Sequence, residues 1–220
     1  MMKPFSKWKI FEVEKEFQVK QQSNYTLLNE WLRGNQESSG DACPPIDRLT
    51  TLQKRLIKHV HDWNEQELKM RFISPILDMI DFEQSNYQPF FEREISIHYK
   101  DEKLSGEVDF IVAQGLRVPE QPYFFIHEHK KEADSSGDPL GQVMIAMVVA
   151  QMLNETNHPV YGAYIVGRLW HFVVLNGKEY AVSLAYDATR EHINDIYSIL
   201  MKVKAIINQL AESKSGHSSE

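Results

Sequence analysis

The stretch that most limits what this chain can fold into is Tyr123-Phe124-Phe125-Ile126, followed directly by His127-Glu128-His129-Lys130. Three aromatic residues and a β-branched one in succession describe a strand with no face in water, since a half-exposed strand alternates apolar with polar. A strand covered on both sides needs helices above and below its sheet, which places the chain in the α/β class.

The segments around this strand fit that reading. Residues 106–112 alternate as a second strand, with Val108, Phe110 and Val112 expected on one face and Glu107, Asp109 and Ile111 on the other. Before it, residues 90–99 alternate as a third, with Phe91, Ile95, Ile97 and Tyr99 facing one way and Glu92, Glu94 and His98 the other. Lys100-Asp-Glu-Lys is the turn between these two. After the apolar strand, Asp138-Pro139 marks a helix start, with a capping side chain and then proline in the first turn. That helix is expected to run to about Asn154 and to be buried, being apolar on most sides. A strand over 159–166 follows, then a hairpin about Asn176-Gly177 and a final helix over roughly 189–211.

Upstream, residues 47–62 form an amphipathic helix. Asn64 then opens a fresh helix, with Glu67 at the capping-box position and Glu65 in the first turn. Aromatic and aliphatic residues between 8 and 32 describe short docked helices. Residues 34–45 form a linker, and residues 131–137 a polar loop. The expected organisation is a helical N-terminal extension and linker over 1–46, a main domain over 47–211 and a disordered tail over 212–220.

With 31 acidic and 24 basic residues, the net charge of -7 argues against strong, indiscriminate DNA binding, which depends on Lys and Arg neutralising phosphates. It does not exclude a nuclease, because metal ligands are themselves acidic. The single cysteine, Cys43, rules out an intrachain disulfide and a zinc ribbon. No apolar run is long enough to span a bilayer and no signal-peptide pattern opens the chain, so a cytoplasmic protein with no membrane partner is expected.

Chemistry concentrates at the end of the apolar strand. Side chains two apart on a strand share a face, so Glu128 pairs with Lys130, and His127, His129 and Lys131 take the other side. With Asp109 on the neighbouring strand, two carboxylates and one ammonium converge. Two carboxylates suffice for Mg²⁺, which keeps several waters and takes substrate oxygens for the rest. Such an ion acidifies bound water and neutralises charge on a phosphate. Lys130 would then orient or deprotonate the attacking water, or neutralise charge as it develops.

Several motifs together resemble the PD-(D/E)XK nuclease superfamily, and more closely the N-terminal nuclease domain of type I restriction motor subunits. They are residues 64–77 (NEQELKMRFISPIL), Gly106-Glu-Val-Asp109-Phe, Ile126-His-Glu128-His-Lys130-Lys, Gly141-Gln142 and Val166-Gly-Arg-Leu-Trp-His-Phe. The resemblance covers residues 64–175. It implies a restriction-endonuclease-like fold, a mixed β-sheet flanked by helices. It also implies a Mg²⁺-dependent nuclease, with Mn²⁺ as substitute, acting on nucleic acid and on DNA first. Asp109 and Glu128 fall on the family's metal ligands, Lys130 on its catalytic lysine, Glu65 on the acid of its first helix and Gln142 on its glutamine. A homodimer or a defence-system partner protein is compatible with it. The chain is also similar to a group of stand-alone bacterial proteins with a helical N-terminal extension. Val108 stands where the family often has proline, and no helicase motor or separate DNA-reading domain is evident.

Plainer readings stand beside these. Asp109, Glu128 and Lys130 could form a strand-end ion network, and the chain a non-catalytic binding or scaffolding module. Glu65 and Glu67 suit a helix first turn on dipole grounds alone. Gln142 could simply occupy the start of a buried helix. His127 and His129 lack a third ligand at zinc-site spacing and are expected as surface histidines. Lys131 is expected in solvent, and the Met-rich residues 143–152 in the core.

Overall fold

The computed structural model describes residues 3–33, 45–132, 137–154 and 157–215. Cys43, nearly all of the expected linker and the centre of the 131–137 loop lie outside the described residues. Eight strands form one mixed sheet: β1 (Lys20–Gln21), β2 (Gln88–Tyr99), β3 (Glu102–Gln114), β4 (Glu120–Lys130), β5 (Val160–Val166), β6 (Leu169–Asn176), β7 (Glu179–Val182) and β8 (Tyr186–Asp187). Their order is β1-β7-β6-β5-β4-β3-β2, with β8 paired beside β6. The β4–β5 and β1–β7 pairs are parallel and the others antiparallel.

Helices cover both faces. On one lie α2 (Thr26–Arg33), α3 (Ile46–His59), α4 (Glu65–Leu68), α5 (Ser74–Ile80) and α7 (His192–Ser215). On the other lie the 3₁₀ turn Phe5–Lys7, α1 (Ile10–Phe17) and α6 (Pro139–Leu153), the crossover between β4 and β5. The apolar middle of β4 serves both cores, Phe124 and Phe125 facing one and Tyr123 and Ile126 the other. Helix α6 is buried from Gly141 to Ala150 because it sits between the sheet and the N-terminal segment, which leaves it almost no watery side. The N-terminal residues enter both cores: Trp31 meets Phe125, Tyr161 and Phe172 edge-on and donates its indole N–H to Ile199 O at 3.0 Å.

Several features depart from the sequence reading. The helix expected to follow Asn64 without interruption contains a π-helical stretch, Lys69–Ile73, between α4 and α5. The last helix continues to Ser215, through the start of the expected disordered tail. The pleat of β2 and β3 also changes phase at Glu92 and Asp109. Leu104, Val108, Ile111 and Ala113 share the α6-side core, whereas Phe110 and Val112 belong to the other, so Val108 and Phe110 do not share a face as expected. On β2, Ile95 faces α6 while Phe91 packs on Phe110, with ring centroids 5.1 Å apart. Glu92 has φ 51°, and a residue in that left-handed region rotates the strand and restarts its alternation. Pairing holds on either side, Phe91↔Phe110 and then Arg93↔Val108, which leaves Asp109 at the crossover.

The turns follow their residues. Lys100 and Asp101 join β2 to β3 with φ 47° and 62°, the pattern of a type I′ hairpin. Asn176 pairs with Glu179, so the β6–β7 loop is Gly177-Lys178 rather than Asn176-Gly177, with positive φ on Gly177. Among the described residues, no helix is long and apolar enough to cross a membrane.

Candidate active site

The site gathers where β3 and β4 meet the start of α4. Asn64 caps α4: its side chain accepts from Glu67 N at 2.9 Å, and its own N–H donates to Glu67 Oε2 at 3.1 Å. That closed box occupies Glu67 and separates the two first-turn acids. Glu65 instead reaches β4, where Lys130 Nζ donates to its Oε1 at 2.9 Å. Behind Lys130, Gly167 N donates to Lys130 O at 2.8 Å, so the β5–β6 turn holds the end of β4. Arg168 in that turn is bound in turn by Glu132 and Asp187.

Asp109 faces the same place from β3. Its Oδ2 accepts from His129 N at 2.8 Å. The His129 Nδ1 lies 2.9 Å from that oxygen. One ligand atom each from Glu65, Asp109 and His129 falls within 4.8 Å of the others. Glu128 is only 5% exposed and adjoins Asp109, outside that three-atom group.

The protonation pattern follows from burial and neighbours. Burial pushes the Glu128 carboxyl well up, and the adjoining Asp109 carboxylate adds to it. Burial also pushes Asp109 up, but its contacts with His129 together outweigh that and hold it well below the usual carboxylate range. Glu128 is thus the protonated member of the pair and Asp109 the ionised one. Burial works against the Lys130 ammonium, yet Glu65 beside it, helped by Asp109 and Glu128, raises Lys130 above its ordinary value. Burial pulls the His127 imidazole down to about 3.

The structure therefore brings Glu65, Asp109 and Lys130 together and leaves Glu128 buried next to Asp109. Gln142 does not join them: it is 4% exposed and its Nε2 donates to Ser6 O at 3.2 Å. It borders, with Lys130, an open cleft of about 360 Å³ whose other side is Ser6–Lys9. His127 and His129, expected at the surface, are 2% and 3% exposed: the Phe110 ring stacks on His127, with Phe125 beside it, and Asp109 and Glu65 close on His129. His129 is the residue that sequence reasoning set aside. Strict alternation puts it opposite Glu128, whereas the phase change at Asp109 turns a carboxylate towards it. Its ligand-capable side chain next to Glu128 was the available signal.

Chemically, two carboxylates and an imidazole beside an ammonium can hold a divalent cation next to a negatively charged substrate group. No protein-family model matches this chain, and no curated protein sequence matches it.

Proposed function

We propose that this chain is a metal-dependent phosphodiesterase acting on nucleic acid, DNA first, with a restriction-endonuclease-like fold of the PD-(D/E)XK type. The observation that carries this reading is the convergence of Glu65, Asp109 and His129 within 4.8 Å, with Lys130 bonded to one of them. That donor set fits a divalent ion. The carboxylates suit Mg²⁺, and the imidazole shifts the preference towards Mn²⁺ and later first-row ions. Glu65, Asp109 and His129 would hold the ion, with Glu128 adding its carboxylate on giving up its proton. When bound, such an ion lowers the pKa of water and neutralises charge on a phosphate.

Hydrolysis joins a water oxygen to phosphorus and breaks one ester P–O bond, giving a phosphomonoester and a free hydroxyl. Negative charge builds on the non-bridging oxygens on the way. Lys130, kept protonated by Glu65, is suited to donate to those oxygens rather than to remove a proton from water. Asp109, ionised and tied to His129 N, keeps the site negative enough for a cation.

The net charge of -7 favours a second reading, a binding or assembly module without catalysis. Incubating labelled single- and double-stranded DNA and RNA with Mg²⁺ or Mn²⁺ separates the two. The wild type is expected to cleave, and Lys130→Ala to lose about 10²–10⁴-fold in rate. A wild type inert on every substrate, with no calorimetric Mn²⁺ binding that Asp109→Ala removes, would leave the module.

A further inference from the structure

We propose that the N-terminal segment is part of the substrate site, with Lys7 and Lys9 gripping backbone phosphates of the nucleic acid that reaches Lys130. This rests on the nuclease reading. The segment is built in rather than draped over the surface. Phe5 is 2% exposed and lies on Gly106 of β3, so closely that a Cβ there would sit 2.2 Å from its ring. Trp8 is 5% exposed, and its carbonyl crosses α6 at Gly141, where a Cβ would lie 2.6 Å away. Asp138 links the two elements. One carboxylate oxygen accepts from Ile10 N at 2.7 Å and the other from Gly141 N at 3.0 Å. Gln142 fastens the segment again through Ser6 O.

These anchors hold Ser6–Lys9 as one wall of the cleft that Lys130 and Gln142 border. Lys7 and Lys9 are exposed, and among the described residues neither side chain forms a salt bridge. Among the described residues, the acids Asp138 and Glu12 are engaged: Asp138 by two backbone N–H groups, and Glu12 by Lys3 and by Lys9 N. Lys7, Lys9 and Lys130 therefore all line the cleft, Lys130 with its ammonium on Glu65, in a chain that is otherwise net negative. Its occupant should be polyanionic and extend past the Lys130 end of β4, which matches a phosphodiester backbone. Gln142 is then a positioning residue that holds the lysine wall through Ser6.

The test measures binding of the full chain to a fluorescein-labelled 20-base-pair DNA duplex, and to RNA of equal length, in EDTA across a salt series. Lys7→Ala/Lys9→Ala is compared with wild type and with Lys7→Arg/Lys9→Arg, and circular dichroism confirms the fold of each. Loss of two phosphate contacts should flatten the slope of log K against log salt by about 1.8 on duplex DNA, so the wild type loses about tenfold more affinity than the alanine pair between 50 and 200 mM salt. The arginine pair should restore the slope, and the preferred nucleic acid identifies the substrate. A wild type that binds or cleaves, with an alanine pair of unchanged affinity and slope, overturns this inference alone. Cleavage without any metal-free binding also overturns it. A wild type that neither binds nor cleaves any nucleic acid overturns the nuclease reading together with it.

Discussion

Gly106→Ala should loosen the N-terminal wall without touching the candidate metal ligands. The added Cβ would meet Phe5 Cγ at 2.2 Å and Phe5 Cβ and Cδ2 at 2.5 Å. Because Phe5 Cβ is among those atoms, rotating the ring does not relieve the clash, and the whole Phe5–Lys7 turn must lift. Lifting it exposes a phenyl ring whose burial stabilises by about 1.5–3 kcal/mol. Replacing a strand glycine by alanine returns about 0.5–1 kcal/mol. The net cost is then about 1–2 kcal/mol, with each kcal/mol lowering Tm by about 2–4 °C at this chain length. Urea unfolding reads the stability, and hydrogen exchange over residues 5–17 reads the loosening. Phe5→Gly added to Gly106→Ala should cost little more, because the clash and the burial are the same contact; coupling above about 1 kcal/mol is expected. Wild-type stability and exchange in Gly106→Ala, or simple additivity in the double variant, would refute the close approach.

Glu128→Gln should make the metal-free protein more stable at neutral pH. The native carboxyl is raised, so between the ordinary value of 4.5 and its folded value the native state holds a proton that the unfolded chain has released, and stability falls as pH rises through that window. Glutamine removes the decline, and urea midpoints at pH 5 and pH 8 would show it; an unchanged pH slope counts against the buried carboxyl. His127→Phe should also stabilise, by about 1–3 kcal/mol, since among the described residues neither buried ring nitrogen has a hydrogen-bond partner and the ring already stacks on Phe110 at 4.8 Å. The native imidazole is depressed to about 3, so the unfolded chain binds the extra proton below 6.5 and wild-type stability is lost from 6.5 down towards 3. The phenylalanine variant should lose less over that range, and a variant less stable than wild type at pH 7 would mean that His127 has a partner.

Much of the frame is local and was therefore legible. The Asn64–Glu67 box, the Asp138-Pro139 helix start and the doubly apolar Tyr123–Ile126 run each follow from neighbours in sequence and formed where expected, although β4 itself opens earlier, at Glu120. The pairing of Glu65 with Lys130 also has a local root, because the box that occupies Glu67 leaves the other first-turn acid available. Contacts between distant segments were not legible. Strict alternation could not foresee the phase change at Glu92 and Asp109, which exists only because two strands twist together around a residue in the left-handed region. That change brings Asp109 to His129, and packing against Phe110, Phe125 and Asp109 makes two apparent surface histidines buried ones. The anchoring of Ser6–Lys9 is equally nonlocal: Gly106 and Gly141 carry no sign in sequence of what crosses them. Capping and periodicity act over three or four residues, so the sequence by itself determined the elements and the residue types at the end of β4. Which side chains share a cation, and which segment walls the cleft, was decided by tertiary packing, where burial, strand twist and close backbone approach act between residues far apart in the chain.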